Sequence, residues 1–416
     1  MALEKTVDGQ FRLLRNGEPF EVRGVGYVID DGTDADALAL LAASGGNAIR
    51  TWGVDQLEID ADGKNLLDLA HEHGIAVTLG FWVKHARHGF DYDDVESVNR
   101  QRELLREAVL TYRDHPALLM WGLGNEMEKD FTPGASEETD PRVWKELNHL
   151  AGIINELDPN HPVMTVVDGT PASKIDSIRK LYPRLDILGI NSYAGATSAG
   201  ERALQAGWDG PYMLTEFGVT GTWEVQLTTW GAPIEPDPST KAAESYTAYT
   251  VDRDRNPLRN LGSYVFLWGS KQEATFSWFG MLLPSGEKLA RVDAMAYAWT
   301  GDWPTNRVPK LESMTSPVAF KEAVAGTTTY AKVDCSDREG DALRYSWEVR
   351  AESSDRRVGG DAEAAPPSFP DAISKGQGTD RIEFKVPDTP GGYRLFVTAY
   401  DGKGGAAVHN LPFYVP

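Results

Sequence analysis

Cysteine is almost absent: Cys335 is the only one in 416 residues, so no intrachain disulfide can form. It falls in a strand-rich tail and reads as a buried structural thiol rather than a nucleophile. No apolar run approaches the ~20 residues of a membrane span, which argues against a membrane partner. Met1-Ala-Leu-Glu-Lys lacks an apolar h-region. The chain therefore reads as cytoplasmic, or as secreted or periplasmic if a leader precedes it. Positive charge is scarce, with 41 Lys and Arg against 62 Asp and Glu, a formal net charge of −21. That balance weighs against nucleic acid as a partner and suits a neutral or cationic substrate. No Gly-x-Gly-x-x-Gly follows the first strand-like run, which disfavours a doubly wound nucleotide-binding sheet. His85 and His88 are spaced as two metal ligands could be, but no third ligand accompanies them, so no metal is expected.

What the chain does have is alternation. Strand-like apolar runs at 20–28, 47–53, 75–83, 118–126, 163–169, 187–193, 212–219 and 264–269 are each followed by a helical stretch. The helices are expected near 34–44, 64–73, 97–114, 142–157, 171–182, 199–207, 240–253 and 289–299. Eight such units in this span predict a (β/α)8 TIM barrel over 1–303, opened by a hairpin that turns at Asn16-Gly17 and closes the barrel bottom. Pro304, Pro309 and Pro317 punctuate a linker at 304–317. Short alternating strands separated by turn signals then predict an immunoglobulin- or PKD-like β-sandwich over 318–416, with Trp347 in its core and a long loop at 351–378.

A barrel of this kind carries its active site at the C-terminal ends of its strands. Two strand endings stand out. Trp121-Gly-Leu-Gly-Asn125-Glu126 and Tyr212-Met-Leu-Thr-Glu216 are apolar runs that each finish on a carboxylate. A charge where a buried strand leaves the core is costly unless it has a task. Two in the same register of a repeat suggest a pair meeting over a glycosidic bond. The other strand ends supply Arg50 and Trp52, Trp82, Asp168, Asn191 and Tyr193, and Trp268, with His85 in the third loop. Polar groups for hydroxyls and flat rings for C–H faces suit a carbohydrate. Trp52, Trp82, Trp223 and Trp278 are candidates for subsite walls, with packing at the barrel top as their plainer reading. Asp334, Asp337 and Asp401 of the tail read as turn aspartates rather than Ca2+ ligands.

Asn125-Glu126 on the fourth strand and Glu216 on the seventh resemble clan A of the glycoside hydrolases, the "4/7 superfamily". The opening Asn16-Gly-Glu-Pro-Phe-Glu-Val-Arg-Gly-Val is similar to the catalytic domains of families 2 and 5. Ile49-Arg50-Thr-Trp-Gly-Val-Asp more loosely resembles the β-1,3-glucanosyltransferases of family 72. The resemblance implies Glu126 as general acid/base and Glu216 as nucleophile. It further implies Asn125 on the sugar 2-hydroxyl, Arg50 and Tyr193 on Glu216, and Trp268 as the floor of the −1 subsite. It implies a retaining β-glycosidase or β-glycanase, with transglycosylation open to it, on a β-linked glucan or mannan and with no cofactor. The alternative is a non-catalytic carbohydrate-binding protein on the same scaffold. The tail, lacking paired carboxylates at strand ends, is expected to supply no chemistry, so truncation near Pro309 should spare turnover on a small substrate if the barrel does not need the sandwich for stability.

Overall fold

The computed structural model describes residues 1–29, 34–57, 59, 62–127, 140–357 and 359–416. The chain opens with a three-stranded antiparallel sheet of β1 (Ala2–Lys5), β2 (Phe11–Arg15) and β3 (Glu18–Pro19). Asn16 and Gly17 both take positive φ, at 55° and 84°, the conformation that a two-residue type I′ hairpin requires. Leu13 of this sheet is buried with Val22, Ala48, Ala76, Leu119, Met164, Ile187 and Met213. Those residues lie at or near the strands' N-terminal ends, so the hairpin stops the barrel bottom as expected.

The barrel is closed by β4 (Val22–Val28), β5 (Ala48–Arg50), β6 (Ala76–Phe81), β7 (Leu118–Asn125), β8 (Val163–Asp168), β9 (Ile187–Asn191), β10 (Tyr212–Glu216) and β11 (Asn260–Gly269). Every residue of β6 and β7 is buried. This is why these strands read as continuous apolar runs: helices cover the outer face and barrel side chains the inner one. The helices are α1 (Asp34–Ala43), α2 (Leu66–Glu72), α3 (Val95–Tyr112), α4 (Pro141–Leu157), α5 (Ala172–Leu181), α6 (Ala199–Gln205), α7 (Pro238–Arg255) and α8 (Ala290–Thr300). Local chemistry sets their starts. The Asn65 side chain accepts from the Leu67 and Asp68 amides, and Asp68 returns a bond to the Asn65 amide, a capping box opening α2. Asp140 caps α4 and Pro141 follows, where its missing N–H is not needed.

The tail forms two sheets. One holds β12 (Lys310–Thr315), β13 (Thr328–Ser336), β15 (Ile373–Lys375) and β16 (Arg381–Lys385) in the order β12-β13-β16-β15. The other holds β14 (Arg344–Ala351), β17 (Gly391–Tyr400) and β18 (Ala406–Val415) in the order β14-β17-β18. Trp347 is 2% exposed between them, packed with Val333, Val349, Phe384, Leu395 and Phe413. Burial pushes the nearby Cys335 thiol up to about 12, with Glu312, Asp334 and Asp337 adding to the rise, which suits an inert side chain. Two expectations are corrected. The 304–317 stretch is not wholly linker, because Lys310–Thr315 pairs with β13, and 351–378 is not wholly loop, because Ile373–Lys375 pairs with β16. Both strands are short or edge-placed, and few apolar residues mark them.

The boundary at 303 also moves. The chain forms two compact units, Met1–Phe217 with Thr247–Phe266, and Gly218–Tyr246 with Leu267–Pro416. The physical reason lies inside the second unit. Leu283 and Leu289, which follow β11, are buried with Phe396, Ala406 and Val408 of the sandwich. Phe276 lies 5.0 Å from Phe396, ring centre to ring centre.

This second unit has a built-in acid sensitivity. Burial pushes the His409 imidazole down to about 4, against the pull of the Glu235 charge. Below its ordinary value near 6.5 the unfolded chain binds a proton there, and the folded chain does not until about pH 4. Stability therefore falls as pH drops through this window and levels off below it, by about 2 kcal/mol once partial exposure is discounted. Thermal midpoints between pH 7 and 4 should show this fall, and His409→Gln should flatten it; an unchanged slope in the variant would exclude His409 as the source.

Candidate active site

Arg50 ends β5 and is 2% exposed. Its Nη1 donates to Glu216 Oε1 at 3.1 Å and to the Thr215 carbonyl at 3.1 Å, and its Nη2 donates to Asn125 Oδ1 at 2.7 Å. Trp52 Nε1 also donates to Glu216 Oε1, at 3.1 Å, and the Tyr193 hydroxyl donates to Oε2 at 2.9 Å. Glu216, 6% exposed, thus accepts on both oxygens and has a cation as one donor. The ion pair is satisfied on each side, which is what allows two charges to sit out of water.

Asn191 ends β9 and is 1% exposed. Its Nδ2 donates to Glu126 Oε1 at 2.8 Å and to Asn125 Oδ1 at 3.2 Å, while its Oδ1 accepts from Thr215 Oγ1 at 2.8 Å. Asn125 Oδ1, which takes the Arg50 donor, can only accept from Asn191 and so fixes which way that amide faces. Glu126, Asn191, Asn125, Arg50 and Glu216 therefore form one continuous hydrogen-bonded chain linking the two carboxylates.

The backbone makes this possible. Successive side chains of a regular strand point to opposite faces. Here the β7–β8 register slips between Leu123 and Asn125, Gly124 takes φ 68° and Glu126 φ 50°. The Glu126 amide still donates to the Val166 carbonyl at 2.9 Å. The irregularity lets Asn125 and Glu126, adjacent in sequence, join the same network. A glutamate in the left-handed region costs roughly 1 kcal/mol or more, a strain that is characteristic of functional sites. The β9–β10 pairing slips likewise between Leu214 and Glu216, so that Thr215 and Glu216 both reach the cluster. Gly26 leaves room for the indole: a Cβ there would come within 2.8 Å of Trp52 Cη2.

The remaining candidates divide. Phe266 stands edge-on to both Trp52 and Tyr193, with centroids 6.0 and 5.9 Å away, and props the two donors of Glu216. Trp82, His85 and His88 form their own aromatic group after β6, with His85 1% exposed and 4.9 Å from Trp82. Among the described residues no group of three His, Cys, Asp or Glu could hold a metal. Asp168 ends β8 opposite Asn191 in the ladder, and its carbonyl accepts from Lys174. Trp268, near the end of β11, has no surface open to water. Trp52, weighed as a sugar wall, has its N–H engaged with Glu216. Thr215 and Phe266 were not expected. A threonine inside the apolar Tyr-Met-Leu-Thr-Glu run was a usable signal for the first; nothing local marked the second.

A closed (β/α)8 barrel with linked carboxylates at the ends of its fourth and seventh strands is the class of protein that fold and site define. Residues 26–222 match the family model described as "Glycosyl hydrolases family 2, TIM barrel domain". Of the families that the sequence motifs resemble, this match is to family 2. Among solved structures, the chain is similar to Bacteroides uniformis beta-glucuronidase 2 covalently bound to cyclophellitol-6-carboxylate aziridine, at 15% identity and TM-score 0.55, covering 98% of this chain and 47% of that one. It is also similar to the FMN-binding beta-glucuronidase from Facaelibacterium prausnitzii L2-6, at 16% identity and TM-score 0.54, covering 100% of this chain and 59% of that one. The chain spans about half the length of these structures, and at such identities the likeness concerns the fold.

Proposed function

We propose that the chain is a retaining β-glycoside hydrolase, with Glu216 as nucleophile and Glu126 as general acid/base. The observation that carries this reading is how Glu216 is held, and that it is joined through Arg50, Asn125 and Asn191 to Glu126. Glu216 accepts from Arg50, Trp52 and Tyr193 on both oxygens, an arrangement that an acceptor-only carboxylate can satisfy in full. Glu126 receives the neutral amide of Asn191.

In the first step Glu126 gives its proton to the glycosidic oxygen while Glu216 attacks the anomeric carbon, forming a glycosyl ester. In the second step Glu126 takes a proton from water, which attacks the same carbon and releases Glu216. Asn125, held by Arg50 and Asn191, would meet the 2-hydroxyl. Neither step requires a cofactor. The substrate class is a β-linked oligo- or polysaccharide such as a glucan or mannan, and a sugar acceptor in place of water would give transglycosylation.

Two inversions at one carbon give net retention, which needs the carboxyl groups ~5–5.5 Å apart, whereas single displacement needs ~6.5–9.5 Å to admit a water. Proton NMR of the first-formed product from an aryl β-glycoside should therefore show the β-anomer before mutarotation. An α-anomer appearing first would reject double displacement even if both glutamates proved essential.

A further inference from the structure

We propose that Asn410 and Arg394 of the sandwich are positioning residues for the segment that leaves the Glu216 strand. Its kinetic consequence rests on the reading of Glu216 given above; its structural part does not.

Residues 217–237 join β10 to α7 with no regular strand or helix of their own. A long irregular connection inside a compact unit stays ordered only if side chains tie it down. Three ties come from the sandwich. Glu235, 4% exposed, accepts from Asn410 Nδ2 at 2.6 Å, and Asn410 Oδ1 in turn accepts from Arg394 Nη1 at 2.8 Å. Arg394, 1% exposed, donates through Nη2 to the Pro233 carbonyl at 2.6 Å and is held by Glu352 at 2.7 and 3.0 Å. Trp230 stacks on Tyr414, centroids 5.7 Å apart.

The Glu235 node is fully satisfied. Its Oε1 accepts from Lys241 Nζ at 2.7 Å and Ser277 Oγ at 2.9 Å, and its Oε2 from Thr275 Oγ1 at 2.6 Å besides Asn410. Burial opposes its charge, but the Lys241 cation and the hydrogen bonds from Lys241 and Thr275 override this and hold the carboxyl down to about 2. Apolar packing would stabilise such a contact with less desolvation; a directional network with every acceptor used specifies one arrangement. Closer to Glu216 the same segment is fixed again. Trp278 Nε1 donates to the Thr220 carbonyl, and Glu244 accepts from the Thr220 amide and hydroxyl, all at 3.0 Å. At Gly218, two residues past Glu216, φ is 141°, a conformation that strains any side chain, and a Cβ would meet Arg291 Nη2.

These ties bear on truncation near Pro309, expected to spare turnover only if the barrel does not need the sandwich for stability. Removing the sandwich would take Asn410 from Glu235 and Arg394 from the Pro233 carbonyl, and would leave Trp230 without its cover. The test uses the full chain with Asn410→Ala, which cuts the link to Glu235, and Tyr414→Leu, a milder change that keeps apolar cover if the first variant does not fold. Hydrogen exchange read by mass spectrometry should rise about tenfold or more for amides in 218–246, with peptides of β4 to β9 unchanged, as expected for loss of a hydrogen bond to a charged group. On an activated aryl β-glycoside, well below the melting midpoint, kcat should fall about tenfold while KM stays within about twofold, the split expected when transition-state geometry is lost. Unchanged exchange in 218–246, a uniform rise along the chain, or a local rise with kcat and KM intact would each overturn the proposal. Should the wild-type chain turn over no β-glycoside, the proposed activity fails, and the exchange measurement still decides the anchor.

Discussion

Glu216→Gln is expected to fold and to lose roughly 10³-fold or more in kcat on an activated aryl β-glycoside, about 4 kcal/mol of transition-state stabilisation. The amide keeps the shape. Its oxygen can still accept from Arg50 and Trp52, which share Oε1 in the wild type, and its NH2 can face Tyr193, whose hydroxyl can turn to accept. What it cannot do is form the glycosyl ester. Some stability is also expected to go, because Arg50 loses its ionic partner. Arg50 keeps the Thr215 carbonyl and Asn125 Oδ1 as acceptors, which limits the cost. Rates should be compared well below both melting midpoints. Turnover near the wild-type rate would remove Glu216 from the nucleophile's role, whereas retained oligosaccharide binding with no turnover in either protein would favour the non-catalytic alternative.

Glu126→Ala should separate the two steps. A good leaving group departs without a proton, so the first step on such a substrate is largely spared and a burst of one leaving group per enzyme appears. Breakdown of the ester then lacks its base, and steady-state turnover should fall by roughly 10²–10⁴-fold. Azide needs no base and would attack the ester from the face that water uses, so added azide should restore the rate and give a β-glycosyl azide. The site tolerates the truncation on structural grounds, because Asn191 remains oriented by Thr215 and Asn125 after its bond to Glu126 is gone. Absence of both burst and rescue would count against the acid/base role.

The eight βα units were legible because their causes are local. Periodicity of 2 or 3.6 residues, helix caps such as Asn65 and Asp140, and the Asn16-Gly17 turn act within a few residues of themselves. The two glutamates were legible for a related reason: an apolar strand that ends on a charge is conspicuous wherever the chain goes next. Other features depend on residues far apart in the chain, and those only the tertiary structure decided. Trp52 reads equally as a sugar wall or as a donor until Glu216, 164 positions away, is seen to take its N–H. The left-handed turn at Glu126 depends on β8 accepting the slipped register. Phe266 matters only because the barrel closes. The domain boundary failed for the same reason: proline-rich punctuation at 304–317 is a local signal, while the grouping of 218–246 with the tail depends on Glu235 meeting Asn410, 175 residues on. Backbone and solvation preferences are written residue by residue, but which donor fills which acceptor is settled only when distant segments bury their polar groups together, since each must then find a partner out of water.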